Sequence, residues 1–377
     1  MKTDDGKAPL LRDCLKIIEG KLLAMKIVSV IGARPQFIKY SIVARELRQN
    51  HKDILIHTGQ HYDYKMNKVF FEELGIPAPD YNLGVGSGTH AYQTADMLKG
   101  IEDVLIKEKP DLVMVYGDTN STIAGALAAS KIHIKVAHVE AGLRSFDKSM
   151  PEEINRILTD HCSDYLFCPT QTATDNLKRE GLDKGVYLTG DVMVDALTFN
   201  KEIAERTNIL DKLGLTSKKY LLVTLHRASN TDIRQNLESI ANALIDLAGE
   251  EETIVFPVHP RTEKLLKSYG FYDVLKKNVK LVDPLGYFEF LKLLNHSKKV
   301  LTDSGGIQKE AYILKVPCIT LRENTEWVET INDGWNILAG TNKAKIIELT
   351  QEFVPPHVHS NIFGQGACKE IVRIIGS

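Results

Sequence analysis

Lys299-Val300-Leu301-Thr302-Asp303-Ser304-Gly305-Gly306-Ile307-Gln308-Lys309-Glu310-Ala311 reads as strand, tight turn and helix. A short apolar run is followed by paired glycines, and Ile307, Ala311 and Leu314 then recur at helical spacing. Such a junction is suited to anions. Glycines allow close approach to the backbone, and the first-turn amides of a helix have no internal partner, so they point at a negative charge under a favourable dipole. Ser304 adds a hydroxyl, and Glu310 offers a carboxylate to a vicinal diol such as a ribose. Taken alone, the stretch reads equally well as a capped helix with Glu310 in solvent.

Around it, strands and helices alternate. Strands are expected at 26–31, 54–58, 112–116, 135–139, 165–168 and 186–189, with helices at about 37–49, 64–74, 91–108, 120–131, 152–161 and 171–180 between them. The alternation restarts with strands near 220–225, 253–257, 279–282, 299–302, 317–321 and 335–338. This predicts an α/β protein of two Rossmann-like, doubly wound domains facing a cleft, with strand ends lining it. The expected boundaries are an extension at 1–24, a first domain at 25–205, a second at 206–359, and a C-terminal segment 360–377 whose helix crosses back to the first domain. Ile203–Ser217, rich in charge, is the candidate linker.

Composition excludes several classes. With a net charge of −2, the chain has no broad basic field for nucleic acid, and no apolar run approaches the ~20 residues that span a bilayer. Its five scattered cysteines show neither a disulfide framework nor zinc spacing, which fits a reducing cytoplasm. No metal site is expected. Gly84-Val85-Gly86-Ser87-Gly88 has the wrong spacing for a dinucleotide fingerprint, so no nicotinamide cofactor is expected either.

The strand ends carry the chemistry. Arg34 and Lys39 follow Gly32 at the first, and two cations there suit an anionic ligand. Asp118 follows the strand at 112–116, where Thr119 can cap the next helix and leave the carboxylate free. Glu140 ends the strand at 135–139. Glu152 and Glu153 lie in a helical first turn after Pro151, where acidic residues are favoured in any case. Carboxylates gathered on one rim beside arginines shift one another's pKa and supply acid and base together. In the second domain His226-Arg227 ends one strand and His259-Pro260-Arg261 repeats the device at the next.

Together the segments GARPQFIK (32–39), TGQHYD (58–63), YGDTNS (116–121), HVEAGLR (138–144), PEEINR (151–156), LHR (225–227), DSGGIQKEA (303–311) and LREN (321–324) resemble the non-hydrolysing UDP-N-acetylglucosamine 2-epimerases, from about Met25 to the end. The resemblance implies a fold like that of GT-B glycosyltransferases, a homodimer, and interconversion of UDP-N-acetylglucosamine and UDP-N-acetylmannosamine. It matches Asp118, Glu140, Glu152 and His226 to catalytic positions. Arg34, Lys39, Ser304, Gly306, Glu310 and Arg322 match nucleotide-sugar contacts, beside which Arg227 and Gly305 stand. Gln60 and His61 match an allosteric substrate site, but Tyr92 stands where that site has arginine, and Trp327 also replaces an arginine.

The chemistry explains these residue types. The C2 hydrogen of the sugar is not acidic, since no carbonyl is adjacent to that carbon. Without a nicotinamide, the remaining route is elimination of UDP to a 2-acetamidoglucal and re-addition after C2 is reprotonated from the other face. A glycosyltransferase of the GT-B type and a hydrolysing 2-epimerase are the alternatives.

Overall fold

The computed structural model describes residues 24–60, 71–249 and 253–377. The extension at 1–24 (all but its last residue), most of the expected helix at 64–74, and His61 lie outside them. The chain divides into two compact units, one reaching to Ala196 and taking in Gly364–Ser377, the other Leu197–Phe363.

In the first unit every strand is parallel. β1 (Lys26–Ile31), β2 (Lys52–His57), β3 (Tyr81–Asn82), β4 (Leu112–Tyr116), β5 (Lys135–Val139), β6 (Tyr165–Cys168) and β7 (Val186–Leu188) form one sheet in the order β3-β2-β1-β4-β5-β6-β7. Chain order reverses between β1 and β4. Val28, Val30, Ile56, Val113, Val115 and Val136 are buried against Met97, Ile101 and Leu105 of helix His90–Glu108 and against Ala124 and Ala128 of helix Asn120–Lys131. The opposite face is covered too, which is why the strands read as unbroken apolar runs. Helix Ala367–Ile375 packs on helix Arg34–Asn50. Its start is fixed by Asp195, whose carboxylate accepts from the amides of Gly366 and Cys368, both at 2.8 Å.

The second unit repeats the plan. β8 (Tyr220–Thr224), β9 (Thr253–Pro257), β10 (Lys280–Val282), β11 (Lys299–Thr302), β12 (Cys318–Thr320) and β13 (Asn336–Leu338) run in the order β10-β9-β8-β11-β12-β13, all parallel. Successive residues go to opposite faces. Leu221, Val223, Ile254, Phe256 and Leu301 belong to one core, and Tyr220, Leu222, Val255 and Val300 to the other.

The expected linker is not one. Residues 209–213 form a short helix whose Ile209 is fully buried in the second core, with Leu210, Leu213 and Leu215 packed beside it. The chain passes from one unit to the other inside helix Val192–Ala204 instead. The charged residues of 203–217 are the solvated face of an integral segment. Replacing Ile209 by Ala should therefore cost about 2–4 kcal/mol in urea denaturation, whereas a true linker would lose under about 0.5 kcal/mol.

Candidate functional site

In the first unit the turn after β1 is locked to the end of β4 by one side chain. Gln36 Oε1 accepts from the amides of Gly32 and Ala33 at 2.8 and 3.0 Å, while its Nε2 donates to Tyr116 O and Thr122 Oγ1 at 2.8 and 3.0 Å. Gly32 is obligatory there. A Cβ would lie 2.0 Å from Thr58 Oγ1 and 2.2 Å from Ser121 Oγ. Gln60 Oε1 accepts from Ser121 N at 3.1 Å and Ser121 Oγ at 2.8 Å, so this end of its amide serves the scaffold.

The carboxylates follow at the ends of β4 and β5. Asp118 Oδ2 accepts from Arg156 at 2.5 Å, and its backbone oxygen accepts from Asn155 Nδ2 at 3.0 Å. Glu140 sits at φ +76°, a left-handed conformation rarely adopted by a non-glycine residue. Its carboxylate is ion-paired with Lys39 of helix Arg34–Asn50, both side chains about nine-tenths buried. Lys39 Nζ also lies against Gly117, where a Cβ would be 3.3 Å away. Lys39, matched by resemblance to a nucleotide-sugar contact, thus stands between the two carboxylate-bearing turns. Arg34 opens the same helix, half-buried.

Burial separates the two glutamates after Pro151. Glu153 is buried and accepts from Ser145 N, Ser145 Oγ and Phe146 N at 2.8–2.9 Å, so it holds a loop. Glu152 is exposed in the first turn of the same helix, which also supplies Asn155 and Arg156 to Asp118.

Beneath these turns lies a buried charged network. His138 of β5 faces Gly117 O through Nε2 and Asp160 Oδ1 through Nδ1, each at 2.7 Å. Arg144 donates to Asp160 Oδ2 at 2.7 Å and to both oxygens of Glu180. Nothing in linear spacing marks this network beyond the motif that contains His138.

In the second unit β8 and β11 are neighbours with Thr302 paired to Thr224, so the residues after each strand meet. Asp303 is fully buried and accepts from the amides of His226 (3.1 Å) and Arg227 (2.9 Å) and from Asn230 Nδ2 (3.2 Å). Burial alone would raise its carboxyl, but the bonds and charge from His226 and the amides hold it below the usual carboxylate range. Ser304 precedes helix Gly305–Ile313 without capping it through its hydroxyl. Gly306 follows, with open space beside it beyond Ser304 Oγ at 3.9 Å. The Glu326 carboxylate lies over Gly305, where a Cβ would come within 1.9 Å of Oε1, and this carboxylate pairs with Arg322 at 2.8 Å and with Arg227 at 3.8 Å. Two arginines and a helix start therefore converge on the Glu326 carboxylate.

Glu310 is the unusual group. It is 8% exposed, and among the described residues no side chain hydrogen-bonds its carboxylate. Burial raises its pKa to about 7, opposed by the adjacent Lys309 ammonium. A buried carboxyl held this way costs stability, which makes Glu310 a candidate ligand-contacting group. The repeated His-Arg device resolves differently. His259 caps its own helix by accepting from Arg261 N at 3.3 Å, and Arg261 pairs with exposed Asp232.

A family model described as UDP-N-acetylglucosamine 2-epimerase matches residues 45–376. The chain belongs to this family. A UDP-N-acetylglucosamine 2-epimerase homolog of Methanococcus maripaludis is 60% identical, the match covering 93% of this chain and 99% of that one. A UDP-2,3-diacetamido-2,3-dideoxy-D-glucuronate 2-epimerase of Pseudomonas aeruginosa is 51% identical, covering 86% and 91%. Among solved structures, the UDP-GlcNAc 2-epimerase of Methanocaldococcus jannaschii in complex with UDP-GlcNAc and UDP superposes with a TM-score of 0.85 at 50% identity, covering 93% and 99%. The two parallel sheets thus match an epimerase fold, and the chain is an isomerase. No described helix is long and apolar enough to cross a membrane.

Glu310 yields a test that needs no ligand. A carboxyl raised in the folded state contributes stability fully below its unfolded pKa and loses it as pH rises through the folded value of about 7. Glu310→Gln should therefore nearly match the parent protein in stability at pH 4, below the ordinary glutamate value, and exceed it at pH 8, by roughly 3 kcal/mol if the buried charge goes uncompensated. Equal stability of the two proteins at pH 8 would remove the raised pKa.

Proposed function

We propose that this epimerase interconverts UDP-N-acetylglucosamine and UDP-N-acetylmannosamine by eliminating UDP to 2-acetamidoglucal and adding it back. The observation that carries the reading is the pair Asp118 and Glu140 at the ends of adjacent strands, each held by its own cation, Arg156 and Lys39. A carboxylate removes the C2 proton, the C–H electrons form the C1–C2 double bond, and the C1–oxygen pair leaves with UDP. On return UDP adds to C1, and C2 takes a proton from the opposite face. Asp118, Glu140 and Glu152 share these transfers and stabilise the charge at C1. His226 and Arg34 steady the departing diphosphate, with Ser304, Gly305, Gly306, Arg227 and Arg322 around the phosphates. Glu310 accepts from the ribose hydroxyls, and UDP replaces the hydration that its carboxylate lacks.

The relative from Pseudomonas aeruginosa favours a second substrate, UDP-2,3-diacetamido-2,3-dideoxyglucuronate, as half of all aligned positions are shared with it. C1 and C2 of the two sugars are chemically alike, so the same groups serve both. Incubation with each nucleotide sugar and analysis of the C2 epimer decides between them. Release of free sugar with UDP points to a hydrolysing enzyme, and transfer only to an added acceptor to a glycosyltransferase. We place the enzyme in the cytoplasm as a homodimer, which light scattering checks.

Asp118→Asn and Glu140→Gln should each lower kcat by about 10²–10⁴ while leaving UDP affinity within a few-fold. Near-normal turnover of either variant would withdraw that residue from the reaction. The bond-breaking step has its own measurement. With ¹⁸O in the bridge between C1 and the β-phosphate, elimination frees the β-phosphate to rotate, and label scrambles into non-bridging positions during turnover. Label retained in the bridge during normal epimerisation would count against elimination.

A further inference from the structure

We infer that Asp303 is a positioning residue for His226, fixing its ring through Nδ1 so that Nε2 is the nitrogen offered to the leaving diphosphate. The inference rests on the reading of His226 given above. The strand order brings the pair together, because β8 and β11 are the neighbours across which the sheet's chain order reverses; Asp303 directly follows β11, and His226 lies two residues past the end of β8.

The donor inventory fixes the ring. Asp303 is wholly buried, and a carboxylate has about four acceptor positions to fill. His226 N, Arg227 N and Asn230 Nδ2 can only donate, and they take three of them, mostly at Oδ2. The ring nitrogen Nδ1 of His226 lies 3.2 Å from Oδ1. Facing a carboxylate oxygen, that nitrogen carries a hydrogen, so Nε2 donates to the diphosphate in the doubly protonated ring, whose second hydrogen the Asp303 carboxylate holds at Nδ1. Asn230 is itself anchored by a second bond from Nδ2 to Leu321 O at 2.8 Å, so the carboxylate that orients the ring is held from three sides. The His226 side chain is about half exposed, and no other described residue is bonded to its ring. Its orientation therefore depends on Asp303.

A bystander Asp303 would merely tie two strand ends together, and a double-mutant cycle separates the cases. We expect Asp303→Asn to lower kcat about 10- to 100-fold with UDP affinity nearly unchanged, and the Asp303→Asn/His226→Gln double variant to be no slower than His226→Gln alone. Losses that multiply in the double variant, or an unimpaired Asp303→Asn, would overturn the inference. If His226→Gln alone keeps full turnover, the role given to His226 fails instead, and that appears in the single variant before the cycle is closed. Where Asp303→Asn does not fold, ¹⁵N spectra of histidine-labelled parent protein test the same point. Hydrogen on His226 Nδ1 supports the inference, and a ring protonated only at Nε2 overturns it.

Discussion

Each sheet changes its direction of travel once, between β1 and β4 and between β8 and β11, and at that reversal the connections leave in opposite directions. The gap so left at the strand ends is the place in an open parallel sheet where side chains from two distant segments can meet around a ligand. In the first unit Gln36 spans it, bonding the turn after β1 to the end of β4. In the second unit Asp303 does so, bonding the turn after β8 from the end of β11. The chemistry-bearing residues of both units are arranged around these two bridges.

Holding charge at such positions has a cost in each case, and the protein meets it in different ways. Glu140 is buried against Lys39, and removing either partner would strand the other charge in the interior. Asp303 is met by donors on every side and stays ionised. Asp160 is shared by His138, Arg144 and the amide of Gly142. Glu310 differs. Among the described residues its carboxylate has no hydrogen-bond partner, and burial, opposed only by the Lys309 charge, pushes its carboxyl up to about 7. A group that folding leaves poorly solvated is one that a ligand's hydroxyls can satisfy.

Much of this was legible in the sequence, and for a physical reason. Strands at 112–116, 135–139, 165–168 and 299–302 read correctly because sheets covered on both faces demand unbroken apolar runs. β3 went unread because Tyr81–Asn82 is two residues long and has no periodicity. Residues 203–217 read as a linker because a short helix that buries mainly one residue, Ile209, resembles a solvated one. At the site, residue types and strand ends were visible, but pairings were not. Only the folded chain's contacts show that Glu153 holds a loop while Glu152 is exposed, that Lys39 pairs with Glu140 about a hundred residues away, and that His259 is a helix cap.

The departures from family pattern are informative in the same way. Trp327, which the sequence resemblance matches to an arginine, is buried edge-on against Phe363, and Lys309 places its ammonium 4.4 Å from the indole centroid. A cation over an aromatic face is stabilised by the ring's quadrupole, so the helix that carries Glu310 holds a positive charge beside Trp327. That ammonium is also the charge that opposes the rise in the Glu310 pKa. One lysine thus serves both neighbours, its ammonium lying over the Trp327 indole and opposing the effect of burial on the Glu310 carboxyl.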